Sequence, residues 1–408
     1  MSTLKPPLNI LMISTLPLWS MGDGKGAATF FKTIEGLVER GAKVRLLLGD
    51  KYVSGLPNGV AVHTMEGAWL KSLIRVPHVS FIAQLIWTLL FSIWATCIGL
   101  YLMLHERYDC VYGYEITGVP VAWLLGRLNH VVSIARFQGT ILFPYLKSWR
   151  YRIFYWDHFF AMILPVDLII MANDGTEGDK VLAYLKVPEP RVKFWMNGVS
   201  IGNGMGTDSV VDSRILAHKK SGGQVIMCVS RLVAWKRLDR ILMAMPAILA
   251  LDPGVLLVIV GDGAARKEYE RLAEEIHIQS RVIFAGAVPQ EAIPDYLFQA
   301  DLFVSFYDLS NLGNPLLEAM RLGKCIITLD NGATGSVIKT NVNGIMIDPN
   351  CLQKIPSEVH TLLNNPDERI RLGNSAKEFA HTHFRTWPQR MDLEYEVMIE
   401  KINEKRHL

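Results

Sequence analysis

Ser310-Asn-Leu-Gly-Asn-Pro-Leu-Leu-Glu318-Ala-Met-Arg-Leu-Gly323 decides the fold of this chain. It follows a strand-like apolar run, Ala300–Phe306, and precedes a second one, Cys325–Leu329. The spacing predicts a polar, Asn- and Gly-bearing loop that opens a helix between two buried strands. In open α/β sheets, a loop at the carboxyl end of a strand that runs into a helix N-terminus is where anionic ligands bind. Glu318, one turn into that helix, is placed to grip ribose hydroxyls.

Working outward, the same strand–helix alternation fills the second half of the chain. Strands are expected at Gln224–Ser230, Val255–Val260 and Arg281–Ala285, with helices at Arg237–Ala250, Ala265–Ile276 and Pro294–Gln299. The first half reads the same way. Its strands are Leu8–Thr15, Lys43–Leu48, Gly59–Met65, Cys110–Tyr114, Val131–Phe137, Leu168–Ala172 and Val192–Asn197, with a helix at Ala27–Arg40. Strands alternating with helices of this length indicate parallel sheets covered on both faces. The fold class is therefore α/β, with two Rossmann-like, doubly wound domains facing a cleft. The expected boundaries are 1–200 for a first domain, 201–223 for a linker and 224–385 for a second. A closing helix over 386–408 is expected to pack back on the first domain.

Composition narrows the function. A net charge of +3 over 408 residues is too small to argue for nucleic acid. The five cysteines, Cys97, Cys110, Cys228, Cys325 and Cys351, are scattered through apolar contexts. They fit reduced thiols of a cytosolic protein better than disulfides or a metal site. The start of the chain reads as a first strand rather than a signal peptide. A mean hydropathy of +0.21 is high for a protein wholly in water, so some surface is expected to meet lipid or a partner.

The apolar surplus is concentrated in Val79–Leu104, which contains no charged residue. As a helix it would run about 39 Å, enough to cross a hydrocarbon core of about 30 Å. A single crossing would put Leu8–Met65 and Cys110–Tyr114 on opposite sides of the bilayer, where they could not share a sheet. Insertion into one leaflet, or burial against the domain, keeps them together. Tyr145–Trp156 interleaves aromatics with Lys147, Arg150 and Arg152, a mixture suited to an anionic headgroup surface. A helix packed on the domain with solvated charges is the alternative.

Arg231 and Lys236 come directly after strand Gln224–Ser230. Two cations at a strand's carboxyl end suit a diphosphate. Gly22, Gly24 and Gly26 form a loop after the first strand whose backbone N–H groups can approach a substrate at the cleft. Gly22-x-Gly24-x-x-Ala27, with Asp50 downstream, matches a dinucleotide fingerprint only nominally, because Pro17, Leu18 and Trp19 intervene. Gly261-Asp-Gly263-Ala-Ala-Arg266 lacks the third glycine. Both disfavour nicotinamide binding. Gln138 ends strand Val131–Phe137, where it can bond a ligand across the cleft or serve as a structural amide.

As an ordered set, these pieces resemble the family 4 glycosyltransferases, retaining enzymes of the GT-B fold. The resemblance is carried by Val229-Ser-Arg231-Leu with Lys236, Val258-Ile-Val-Gly-Asp-Gly263 and Val282-Ile-Phe-Ala-Gly286. It continues through Tyr296–Asp301, Pro315–Gly323, Asn343-Gly344 and Asn197-Gly198-Val199, with Phe137-Gln-Gly in the first half. The family's pattern would have Arg231 and Lys236 hold the diphosphate of a nucleotide-sugar donor and Glu318 bind its ribose. It would turn Asn311, Leu312, Gly313 and Asn314 toward donor sugar and phosphate. Two positions depart: Ser310 stands where the family usually has Glu, and Gln138 where it often has His. The chemistry implied is sugar transfer to a saccharide, lipid-linked or otherwise near the membrane. It is expected to run without metal or other cofactor, on the cytoplasmic face of the membrane, peripherally or monotopically. A non-catalytic nucleotide-sugar or glycan-binding partner subunit is the alternative that Ser310 and Gln138 motivate.

Overall fold

The computed structural model describes residues 7–16, 28–49, 55–65, 80–200, 210–309 and 311–407. Gly22, Gly24, Gly26, Asp50 and Ser310 lie outside the described residues, as do Lys71, Arg75 and His78 before the apolar segment and 201–209 of the expected linker.

Two all-parallel sheets carry the chain. The first contains β1 (Asn9–Ser14), β2 (Lys43–Leu48), β3 (Ala61–Thr64), β4 (Cys110–Tyr114), β5 (Val132–Phe137), β6 (Leu168–Ala172) and β7 (Val192–Trp195), in the order β3-β2-β1-β4-β5-β6-β7. The second contains β8 (Gln224–Val229), β9 (Val255–Val260), β10 (Val282–Gly286), β11 (Leu302–Ser305), β12 (Cys325–Leu329) and β13 (Ile345–Ile347), in the order β10-β9-β8-β11-β12-β13. Strands such as β9, Val-Leu-Leu-Val-Ile-Val, are buried along their whole length, because helices cover both faces. The order of strands reverses between β1 and β4 in the first sheet and between β8 and β11 in the second. The crevices outside the carboxyl ends of those two pairs are where such sheets take ligands.

Ser213–Lys220, expected to be linker, is a helix. Asp212 caps it by accepting from the Arg214 N–H at 2.9 Å, and Ile215 is wholly buried in the later core. Its apolar residues, Ile215 to Ala217, are consecutive rather than spaced at helical intervals, which left no periodicity to read.

The last helix, Trp387–Arg406, crosses back to the first domain. Thr386 starts it with a reciprocal cap to Gln389, and Pro388 falls in the first turn, where it loses no hydrogen bond. Met391, Tyr395, Met398 and Ile402, spaced four, three and four residues apart, bury one stripe in the core of the first domain. Beside that stripe, Glu394 is sealed against Arg390 at 3.0 Å and accepts from the Tyr112 hydroxyl. Arg136, Arg390 and Glu394 are all at most 1% exposed. Burial alone would lift the Glu394 carboxyl, but the guanidiniums of Arg390 and Arg136 hold it below its ordinary value.

The apolar segment forms one helix, Ser80–His105, lying along the first domain. Ala83, Trp87, Phe91 and Ala95, with Leu102 further on, make its buried stripe. Phe91, Ala95 and Leu102 pack on Leu11, Ile13, Leu47 and Leu125. Ile82, Leu85, Ile86, Leu89, Leu90, Ile93, Tyr101 and Leu104 face outward, Leu104 with 81% of its surface exposed. The helix is thus neither enclosed by the domain nor detached from it.

Candidate active site

In the later domain the site is built at the β8–β11 crevice. After β8 the chain turns through Arg231 and a short helical turn, Ala234–Lys236. Gly261 and Gly263, after β9, hold this loop from behind. A Cβ on Gly261 would lie 1.9 Å from the Ser230 carbonyl oxygen, and one on Gly263 would lie 2.3 Å from that of Leu232. The Gly-Asp-Gly piece therefore braces the cation loop, and its two glycines answer to close backbone approach rather than to a dinucleotide.

Lys236 is the centre of this loop. It is 7% exposed, with its ammonium 4.0 Å from the Tyr307 ring and 4.5 Å from the Trp235 ring. Tyr307, after β11, is fixed in that pose because its hydroxyl donates to the Val229 carbonyl at 3.1 Å. Burial brings the Lys236 pKa down to about 7, the nearby Arg231 adds to that, and Asp174 of the first domain opposes it. Arg231 is exposed, with its guanidinium 5.6 Å above the other partner ring, Trp235. The two cations thus share one aromatic support, Trp235.

Glu318 sits on the helix Asn314–Arg321, which follows the loop after β11. It is 3% exposed, and burial raises its carboxyl to about 8. Gln290, after β10, donates to it at 3.5 Å. Gly313 and Asn314 form the half-exposed start of that helix. Asn311 and Leu312 are buried and have other work. The Asn311 amide donates to the Asn331 side chain, and the Leu312 N–H donates to the Asp174 carbonyl across the domain boundary at 2.9 Å.

On the first domain, Gln138 is drawn into a network. Its amide donates to the Tyr114 hydroxyl and accepts from Asn197 at 3.3 Å, while Asn197 accepts from Arg136 at 2.9 Å. Its backbone N–H donates to Glu115 at 2.7 Å. Glu115, Asp174, Trp235 and Tyr307 were not singled out from sequence, although Glu115 and Asp174 each follow a strand end closely, at β4 and β6. Among the described residues, no cluster of three or more His, Cys, Asp or Glu is arranged to hold a metal ion.

Residues 214–379 match the family described as glycosyl transferases group 1. The later domain is a group 1 glycosyl transferase domain. Over 167 residues, 39% of this chain, it is 28% identical to a GDP-mannose-dependent alpha-(1-6)-phosphatidylinositol monomannoside mannosyltransferase of Mycobacterium tuberculosis. The lipopolysaccharide core biosynthesis glycosyltransferase LpsE of Rhizobium meliloti is 26% identical over 44% of the chain. The matches span 43% and 51% of those relatives, so the chain covers about half the length of the curated proteins it resembles. In overall shape it is similar to Anabaena HepE solved with UDP and glucose, with a TM-score of 0.70 at 17% identity over 95% of this chain and 99% of that one. WaaG, a glycosyltransferase involved in lipopolysaccharide biosynthesis, gives 0.68 at 17% identity over 94% and 99%. The two-domain architecture is GT-B.

Proposed function

We propose that this chain is a retaining glycosyltransferase that moves a sugar from a nucleoside-diphosphate donor to a saccharide at the membrane surface. The observation that carries this reading is Lys236, a buried ammonium bracketed by Tyr307 and Trp235 beside Arg231 at the β8–β11 crevice. The group 1 match over that domain and the GDP-mannose and UDP-glucose named for similar proteins support the donor class.

In the proposed reaction the acceptor oxygen bonds to the anomeric carbon as the bond from that carbon to the diphosphate breaks. The acceptor's proton passes to the departing diphosphate oxygen on the same face of the sugar, so configuration is retained. Arg231 and Lys236 stabilise the charge that develops on the leaving group, and the burial of Lys236 strengthens its share. Glu318 holds the ribose. This route asks for no nucleophile at Ser310, no base at Gln138 and no metal. The bond from the Leu312 N–H to the Asp174 carbonyl ties the loop before the Glu318 helix to the first domain.

The outward face of helix Ser80–His105, and the exposed Trp149, Ile153, Phe154 and Ile163 on neighbouring segments, support a lipid-facing surface on the first domain. Arg150 and Arg152 lie among those aromatics and suit anionic headgroups.

The test is transfer by purified protein from UDP-glucose, GDP-mannose and related donors to a panel of glycosides, with product configuration read by NMR. Products that keep the donor's anomeric configuration are expected. Nucleotide binding without transfer or donor hydrolysis would favour the partner-subunit reading instead.

A further inference from the structure

The first domain has its own switch-point crevice, between the ends of β1 and β4, and one carboxylate occupies it. Glu115 is the residue immediately after β4, and it opens the helix Glu115–Leu128 with no intervening loop. The turn is tight because Gly118 lies against the end of β1, where a Cβ would come 2.1 Å from the Ile13 carbonyl oxygen. To make that turn Glu115 takes a φ of +61°, a left-handed conformation that costs a non-glycine residue of order 1 kcal/mol. Glycine or asparagine would fit such a backbone better. A glutamate held there by its surroundings, and hydrogen-bonded by the Gln138 N–H at 2.7 Å, points to a use for the carboxyl.

Its surroundings define what it can bind. Thr15 and Thr117 hydroxyls pair at 2.6 Å beside the end of β1, and the Gln138 amide stands on the other side. Among the described residues, the one cation near Glu115 is Arg136 on β5, which is wholly buried and turned toward Asn197. Asp174, after β6, adds negative charge, and Tyr114 precedes Glu115 on β4. Carboxylates, hydroxyls and an amide, with the described cation turned away, make a poor anion site and a good one for neutral hydroxyls. Asp174 also influences Lys236 in the later domain, and its backbone carbonyl accepts from the Leu312 N–H there, so this end of the first sheet lies near the proposed leaving group.

We infer that Glu115 binds the acceptor saccharide, accepting a hydrogen bond from a hydroxyl next to the one that attacks. This rests on the glycosyltransferase reading and assigns its acceptor subsite. Glu115 gains and loses no proton in the transfer. It fixes the acceptor's orientation, and the attacking hydroxyl's proton still goes to the diphosphate. Because burial lifts its carboxyl to about 7, with Asp174 adding to the rise and Gln138 and Arg136 opposing it, acceptor binding should strengthen from pH 6 to 8 as the carboxylate forms.

The test uses the full chain with UDP-glucose and GDP-mannose as donors and octyl glucoside and octyl mannoside as acceptors. Glu115→Gln is expected to raise the acceptor KM about tenfold or more, the loss of one charge-assisted hydrogen bond. Donor affinity and slow donor hydrolysis should stay at the wild-type level, and the wild-type pH dependence of acceptor KM should vanish. Glu115→Gly relieves the left-handed strain while giving up the bond from the Gln138 N–H, so it should melt close to wild type and show the same acceptor loss. A wild-type acceptor KM and pH profile in Glu115→Gln would overturn the inference while leaving the donor reading intact. Equal loss of donor and acceptor binding would also overturn it, since a structural role would do that. A wild-type protein that turns over no donor would bring down both readings.

Discussion

Replacing Glu318 by glutamine tests whether that carboxyl is as deeply buried as the structure shows. Glutamine is the nearest mimic of the protonated acid, and it keeps an oxygen for the Gln290 amide to donate to. In the unfolded chain the carboxyl ionises near 4.5, whereas burial raises it to about 8 in the folded domain. An acid whose folded pKa is raised takes up a proton on folding. Its contribution is fully present below 4.5 and is lost as pH climbs to about 8. At roughly 1.4 kcal/mol per pH unit, wild type should lose about 3 kcal/mol relative to Glu318→Gln between pH 5 and 8. With a urea m-value of about 2 kcal/mol/M for a domain of this size, that is a gap of roughly 1.5 M in midpoint. The two proteins should coincide near pH 4.5 and diverge above it. Urea titrations at half-unit pH steps, followed by fluorescence of the later domain, provide the measurement. Parallel profiles across this range would refute the burial argument and, with it, the idea that the ribose meets a desolvated carboxyl.

Lys236→Met preserves apolar volume but removes the charge, and Arg231→Ala removes its neighbour. Each should lower transfer by about a hundredfold, read as initial rates at saturating acceptor. In the Glu318→Gln background, UDP-glucose affinity should fall by up to tenfold per pH unit above 7, because Lys236 must regain its proton to meet the diphosphate. Calorimetry from pH 6.5 to 9 would check this, and the slope should be absent when Lys236→Met is added. Exchanging the outward residues Leu85, Leu89 and Ile93 for serine should shift protein from floated anionic vesicles to the soluble fraction without lowering its melting temperature. Glu394→Ala leaves Arg136 and Arg390 buried without their carboxylate, and should cost the first domain about 3–5 kcal/mol of stability, read by urea denaturation.

The sheets were legible in the sequence because their strands are buried on both faces and read as continuous apolar runs. β13, only Ile345–Ile347, is too short to stand out from its loop. Arg231 and Lys236 were legible as a pair because they sit two and seven residues beyond the end of a strong strand, β8. Their support was not. Tyr307 and Trp235 meet over Lys236 only because β11 lies beside β8, a neighbour relation fixed by topology. Glu115 escaped notice for a related reason. A strand that passes into a helix with no loop offers no Gly- or Asn-rich marker. Asn311 and Leu312 were read for their place at a helix start. The structure adds a boundary role that no local pattern could reveal, with the Leu312 N–H donating to Asp174.

The most direct test of the central claim compares nucleoside diphosphates with monophosphates by calorimetry. The account expects UDP or GDP to bind the wild-type protein at least tenfold more tightly than UMP or GMP, and expects Lys236→Met to erase that difference. Equal affinity for mono- and diphosphates in the wild type, or no binding of either, would contradict the account.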